Sequence, residues 1–241
     1  MLAKTRAIVI HTTKFNDKDL ILHALTEEFG MVSYMIYNPW SKQAKVKASY
    51  LQTFSLLEID VEHQLKKDIQ RIHDAKILFV GNSIHTNPYK QSIVLFLAEM
   101  VRKTLSETEK DVHLFAFVYH SLCVLDEVTE KYNSFHLIFL MRLTQFLGFY
   151  PNSTVENNDV YFDMLNGIFT AQPPLHGHYL EGENCKHFQA LTHISYTDMP
   201  AWNISRVDKL TLLSTMVRYY QLHIPTIQRI KSLDILHSLF V

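Results

Sequence analysis

The sequence predicts an α+β protein, with a small five-stranded barrel over residues 1–80 followed by a mainly α-helical region over residues 81–241. Three observations carry this. The first 80 residues hold short apolar, β-branched runs separated by turn residues. After Gly81 the apolar spacing changes from two residues to three and four. The chain of 241 residues, 47% hydrophobic and 20% charged, is long enough to bury a core.

Each element follows in order. Ala7 to Thr12 is apolar and β-branched, and Leu20 to Leu25 is a second run. Glu27-Glu28-Phe29-Gly30 supplies a turn, with Gly30 free to take a positive φ, and Met31 to Tyr37 completes a hairpin. From Leu57 to Glu62 the alternation is clean: Leu57, Ile59 and Val61 share one face, Glu58, Asp60 and Glu62 the other. Ile69 to Phe79 is a fifth, weaker run. Five short strands in so little chain predict a closed or partly open barrel. Val94, Leu97, Ala98, Val101 and Leu105 then mark an amphipathic helix beginning near Asn87-Pro88. Asp111 to Tyr132 and Ser134 to Leu147 repeat the pattern, the second stopped by Gly148 and Pro151. Residues 152–202 read as a strand-and-loop insertion with pieces such as Asp159 to Met164. Ser205 caps a helix to about Leu222, and after Pro225 a last helix runs from Thr226 to Phe240.

Composition excludes several classes. Six Gly and seven Pro rule out collagen-like and low-complexity chains. Two cysteines, Cys123 and Cys185, fit a reducing compartment better than a disulfide-built fold. The apolar run Ala7 to Ile10 is too short for a signal-peptide core, and no run approaches the roughly 20 residues of a membrane span. A cytoplasmic protein with no membrane association is expected. Net charge is −1, divided as +2 over residues 1–79 and −3 over residues 80–241.

The most informative stretch is Tyr34 to Tyr50. No acidic residue occurs between Glu28 and Glu58, while Lys42, Lys45 and Lys47 cluster beside Tyr34, Tyr37, Trp40 and Tyr50. Lysines neutralise phosphates and aromatic rings stack on unpaired bases, so this mixture suits a groove for single-stranded nucleic acid. A solvated loop joining two strands has the same composition. Lys42, Lys45, Lys47, Tyr37 and Trp40 are the candidate DNA-binding residues.

An ordered series of segments resembles the RecO family of bacterial DNA repair proteins. Its members are Thr5-Arg6-Ala7-Ile8-Val9-Ile10, Asp17-Lys18-Asp19-Leu20-Ile21-Leu22 and Thr26-Glu27-Glu28-Phe29-Gly30, then the basic loop with Leu51-Gln52-Thr53-Phe54 and Leu57-Glu58. Phe135, Leu143 and Leu147-Gly148-Phe149-Tyr150-Pro151 resemble the family's central helical motif. Two departures stand out: Thr53 replaces a usual Pro, and Ser134-Phe135-His136 replaces a typical Arg-Phe-Glu. The resemblance implies an amino-terminal OB-fold and a helical domain. It also implies a non-catalytic recombination mediator that binds single- and double-stranded DNA and anneals strands. Such a protein acts with a RecR-like protein and helps RecA replace single-strand-binding protein (SSB). The SSB tail is acidic with an apolar end, and needs an apolar pocket with a cation at its rim. Phe135, Phe139 and Arg142 fall on one helical face, and Arg218 lies on another helix; these four are the candidate partner-binding residues.

Other chemistry is weakly supported. Many family members carry a four-cysteine zinc ribbon; here only Cys185 remains, with His176, His178 and His187 nearby, and no metal or other cofactor is expected. Gly177 and Gly182 have Walker spacing, but Glu183 and Asn184 occupy the Lys and Ser/Thr positions. Cys123 reads as helix packing. Asp17 and Asp19 suit a polar turn, although a metal-dependent nuclease would use such a pair. A protein-binding adaptor, its barrel gripping a partner chain, is the alternative to a DNA-binding mediator.

Overall fold

The computed structural model describes residues 1–64, 66–79, 81–105, 110–152 and 160–240. Five strands close into a barrel: β1 (Leu2–Lys14), β2 (Leu20–Thr26), β3 (Gly30–Ile36), β4 (Leu56–Glu62) and β5 (Ile69–Phe79), in the order β1-β2-β3-β5-β4. β4 returns antiparallel to β1, and β3 meets β5 in parallel, so the barrel has no free edge. This is the five-stranded OB-fold.

Period-two alternation places the core. Ala7, Val9, Leu22, Ala24, Tyr34, Leu57, Ile59 and Val61 point inward and are buried. Each fully buried aliphatic side chain contributes about 1.5–3 kcal/mol. Gly30 takes φ +67° at the β2–β3 turn, where Thr26 Oγ1 donates to its carbonyl at 2.8 Å. A bulge between Val9 and His11 shifts the β1–β2 register, next to the bonds that Val9 exchanges with Ser55 and Phe54.

The helices are α1 (Asn82–Thr86), α2 (Pro88–Thr104), α3 (Val112–Glu127), α4 (Phe135–Phe146), α5 (Gly182–His193), α6 (Arg206–His223) and α7 (Ser232–Phe240). Asn87 caps α2 by accepting from the backbone N–H groups of Tyr89 and Lys90, with Pro88 in its first turn. Ser205 caps α6 through the Asp208 N–H. Short strands β6 (Tyr161–Asp163), β7 (Ile168–Thr170) and β8 (Tyr179–Glu181) form a separate sheet in the order β7-β6-β8.

The structure departs from the sequence reading in four places. Helices α1 and α5 are additional, α3 stops at Glu127 rather than Tyr132, and α7 begins at Ser232 rather than Thr226. The strand read from Asp159 to Met164 is β6, with Asp159 outside the described residues. Contacts divide the chain into two compact units, Met1–Glu127 with Ile230–Val241, and Val128–Arg229. The unit that contains the barrel also includes helices α1, α2, α3 and α7.

In the barrel unit α7 docks on α2 through one carboxylate. Glu99 accepts from the Lys231 N–H at 3.0 Å and from the Ser232 N–H and hydroxyl at 2.8 and 2.7 Å. Those bonds lie at the start of α7, where backbone N–H groups lack helical partners. In the second unit α4, α5 and α6 pack together. The Tyr219 and Tyr220 hydroxyls donate to the carbonyls of Phe149 and Leu140, both at 2.7 Å.

Candidate nucleic-acid interface

The basic loop leaves the barrel at the end of β3 and is anchored at both ends. Tyr37 is the first residue beyond the strand and 62% exposed. Asn38 follows at φ +40°, a conformation its short amide tolerates, and its N–H donates to Asp19 Oδ1 at 3.0 Å. The Ala48 N–H donates to the Pro39 carbonyl at 3.0 Å, closing the loop on itself. Val46 and Leu51 drop into the barrel core. With Val46 buried, its neighbours Lys45 and Lys47 are both exposed, as are Lys42 and Trp40. Two apolar pegs thus hold a loop whose cations and rings face water.

Not every aromatic of the stretch does so. Tyr34 points into the barrel with no exposed surface, and burial pushes its hydroxyl pKa far up. Tyr50 packs partly against the same core. Only Tyr37 and Trp40, of the four rings read from sequence, present a large open surface.

Beside the loop lies a cleft of about 350 Å³, lined among others by Met35, Tyr37, Lys45, Arg71 and His73. Arg71 reaches it because the parallel β3–β5 ladder pairs Met35 with Arg71. Sequence reading missed Arg71, since only barrel closure brings β5 to β3. Its signal was the basic spacing Lys66, Lys67, Arg71 at the start of the weakest strand.

Several cations elsewhere on the barrel unit are paired with carboxylates. Arg6 is held bidentately by Glu27 at 2.7 and 2.5 Å, Lys4 by Glu58 at 3.3 Å, Lys14 by Asp17 at 2.9 Å and Lys110 by Glu28 at 2.6 Å. Among the described residues Lys42, Lys45, Lys47 and Arg71 have no ion-pair partner. Glu62, opposite Arg71 on β4, gives its oxygens to Gln64 at 2.7 Å and His73 at 3.6 Å. Unneutralised cations beside exposed rings are the arrangement that tracks a phosphate backbone and stacks on bases.

The other sequence-predicted residues fall differently. Phe135 and Phe139 are fully buried, and Phe135 stacks on Tyr196 at 4.7 Å. The physical reason is that α4 buries nine of its twelve residues, so its aromatic face is core and not an open pocket. Arg142 is half-buried and donates to the Ile194 carbonyl at 3.2 Å, while Arg218, exposed, lies 3.0 Å from His178 Nδ1. A groove of about 500 Å³ lies at the start of the same helix, lined by Lys131, Ser134, Met199, Trp202 and Lys209 among others. Burial pulls the Lys209 ammonium pKa down.

Asp19 shares the β1–β2 turn with Asn16, whose amide donates to it at 2.8 Å, and Asp17 pairs with Lys14. The two carboxylates are thereby structural turn residues. Among the described residues no three His, Cys, Asp or Glu side chains are grouped to hold a metal ion. His176 instead meets Asp163 at 3.2 Å, His178 faces Arg218, and Cys185 is buried. Cys123 is half-buried on α3. No helix among the described residues is long and apolar enough to cross a membrane.

Comparison with known proteins agrees with this architecture. The model of the Recombination protein O N-terminal domain matches residues 1–80, and that of the C-terminal domain matches residues 85–234. The DNA repair protein RecO of Azobacteroides pseudotrichonymphae is 40% identical over 240 residues, covering all of both chains. Those of Phocaeicola vulgatus and Bacteroides fragilis are each 37% identical, again over the full length of both chains. With its barrel, its helices and both domain models matched in order, the chain belongs to the RecO family, and its role lies in DNA repair and recombination.

Proposed function

We propose that the protein is a non-catalytic recombination mediator of the cytoplasm. It binds single- and double-stranded DNA along the basic loop, anneals complementary strands and, with a RecR-like protein, helps RecA replace SSB. The observation that carries this reading is the set of cations Lys42, Lys45, Lys47 and Arg71, without ion-pair partners among the described residues, together with exposed Tyr37 and Trp40; Lys45, Arg71 and Tyr37 line the cleft. Cations on phosphates and rings on bases hold a strand without reading its sequence, which a mediator acting at any damaged site requires. The contact with RecA is indirect, made by clearing SSB from the strand.

For the acidic SSB tail, the groove at the start of α4 replaces the buried pair Phe135 and Phe139. Met199 and Trp202 line it, and Lys131 and Lys209 supply the cations. Arg142 keeps a supporting place, its guanidinium spent on a backbone carbonyl. Arg218 remains a cation of the surface beyond it.

The test is a titration of fluorescent single-stranded DNA across salt, with wild type, the triple variant Lys42→Glu, Lys45→Glu, Lys47→Glu, and Arg71→Glu alone. Each lost phosphate contact should flatten the slope of log K against log salt by about 0.7. An unchanged slope in the triple variant would remove the loop from the DNA site and favour the adaptor reading.

A further inference from the structure

A second cleft of about 360 Å³ lies on the barrel unit, between β1, α2 and α7, and shares no lining residue with the cleft beside the basic loop. Its wall is apolar at Ile10, Leu95, Ala98 and Ile235 and polar at His11, Thr53 and Ser232. Leu95 and Ile235 are 47% and 48% exposed. Its rim carries Arg102 and Lys231, both exposed and without an ion-pair partner among the described residues. The one carboxylate lining it, Glu99, is already spent on the start of α7 and on Lys103 at 3.6 Å. Its bound donors hold that carboxyl below the usual range despite burial. The cleft therefore presents positive charge over apolar surface.

From this juxtaposition of Arg102 and Lys231 with Leu95 and Ile235 we infer that the α2–α7 cleft docks an acidic, apolar-faced segment of a partner protein. The apolar side chains of such a segment would cover Leu95 and Ile235, while its carboxylates meet the two cations. Nucleic acid suits the site less well. None of its lining residues is Phe, Tyr or Trp, so no large ring is offered to a base, and half-exposed Leu and Ile gain nothing from a phosphate backbone. A charged rim around an apolar centre is the layout of a protein interface in which the centre anchors and the rim steers.

The experiment uses the whole protein and three labelled helix-forming peptides, read by fluorescence anisotropy. One alternates Glu with Leu at helical spacing, one replaces Glu by Gln, and one replaces Leu by Ser. The Glu/Leu peptide should bind more tightly than both others. Arg102→Glu with Lys231→Glu should weaken it by about tenfold or more, and Leu95→Ser by a smaller factor that persists at high salt. All three residues are exposed, so an unchanged melting temperature should accompany the loss; Arg102→Gln serves if the double variant melts early. Single-stranded DNA affinity should stay at the wild-type value in each variant. Equal binding of the three peptides, or equal affinity of wild type and the Arg102 variants for the Glu/Leu peptide, overturns the proposal. So does a loss of DNA affinity in variants that still bind that peptide, which would make the cleft a nucleic-acid contact.

Discussion

The loop after β3 and the helix α4 were both singled out in the sequence by aromatic residues beside cations, and the fold treats them in opposite ways. In the loop, Tyr37 and Trp40 face water and the lysines stand free. In α4, Phe135 and Phe139 are the centre of a core and Arg142 is tied to a backbone carbonyl. The loop is a series of turns outside the strand ladder, and the buried peg at Val46 decides which neighbours point out. A helix apolar on every side offers no such decision. The same residue types therefore signal a surface where the backbone turns outside the core and a core where it is helical and surrounded.

Substitutions can break that contrast. The largest effect is expected in α4: Phe139→Ala should cost about 3–5 kcal/mol of stability by leaving a cavity, measured by denaturant unfolding. The same measurement on the triple lysine variant should show almost no change. Next, Tyr37→Ala with Trp40→Ala should weaken single-stranded DNA binding by about 1–3 kcal/mol per lost stacked base, while leaving the salt slope intact. A steepened or flattened slope would mean that the rings act by placing the lysines. Third, Lys209→Glu should weaken binding of a labelled acidic SSB-tail peptide by about tenfold, or ~1.4 kcal/mol. Arg142→Glu should do less. The reverse ranking would restore the face read from helical spacing.

The smallest effect is a pH dependence carried by histidines of the barrel unit. His11, His23, His63 and His85 all have pKa values lowered first of all by burial. Below the ordinary histidine value of about 6.5, the unfolded chain takes up protons that the folded unit resists. Their contribution to stability is therefore complete above that pH and is lost as pH falls toward the folded values. Melting temperature should drop on acidification, and His23→Gln should reduce the drop; an equal drop would assign it to other groups.

The barrel was largely legible because its signals are local. Leu57 to Glu62 alternates without a break, and Gly30 marks its turn at the positive φ it adopts. Asn87 and Ser205 announced the caps they form. Helix α5 was hidden although Cys185, Phe188, Leu191 and Thr192 are buried at helical spacing. Polar residues between them, and the Gly-Glu-Asn start, resembled a turn. The site was half legible. Lys42, Lys45 and Lys47 could be found from the missing acids around them, whereas Arg71 needs the β3–β5 closure and the Lys131–Lys209 groove needs two distant segments brought together. Pairings that cross such distances leave no trace in a local pattern.

The carboxylate of Glu99 joins residues 132 and 133 positions further along the chain, with all of residues 128–229 intervening. During synthesis the second unit is complete before α7 exists, so the barrel unit must wait with the α2 surface uncovered. Helix α7, which packs on α2, is what eventually closes it. Native-like order should then arrive in two steps from a ribosome: the later-encoded unit first, and the earlier-encoded one only when its last helix emerges. In the interval, the nascent chain shows a chaperone an apolar helix face that the finished protein largely conceals.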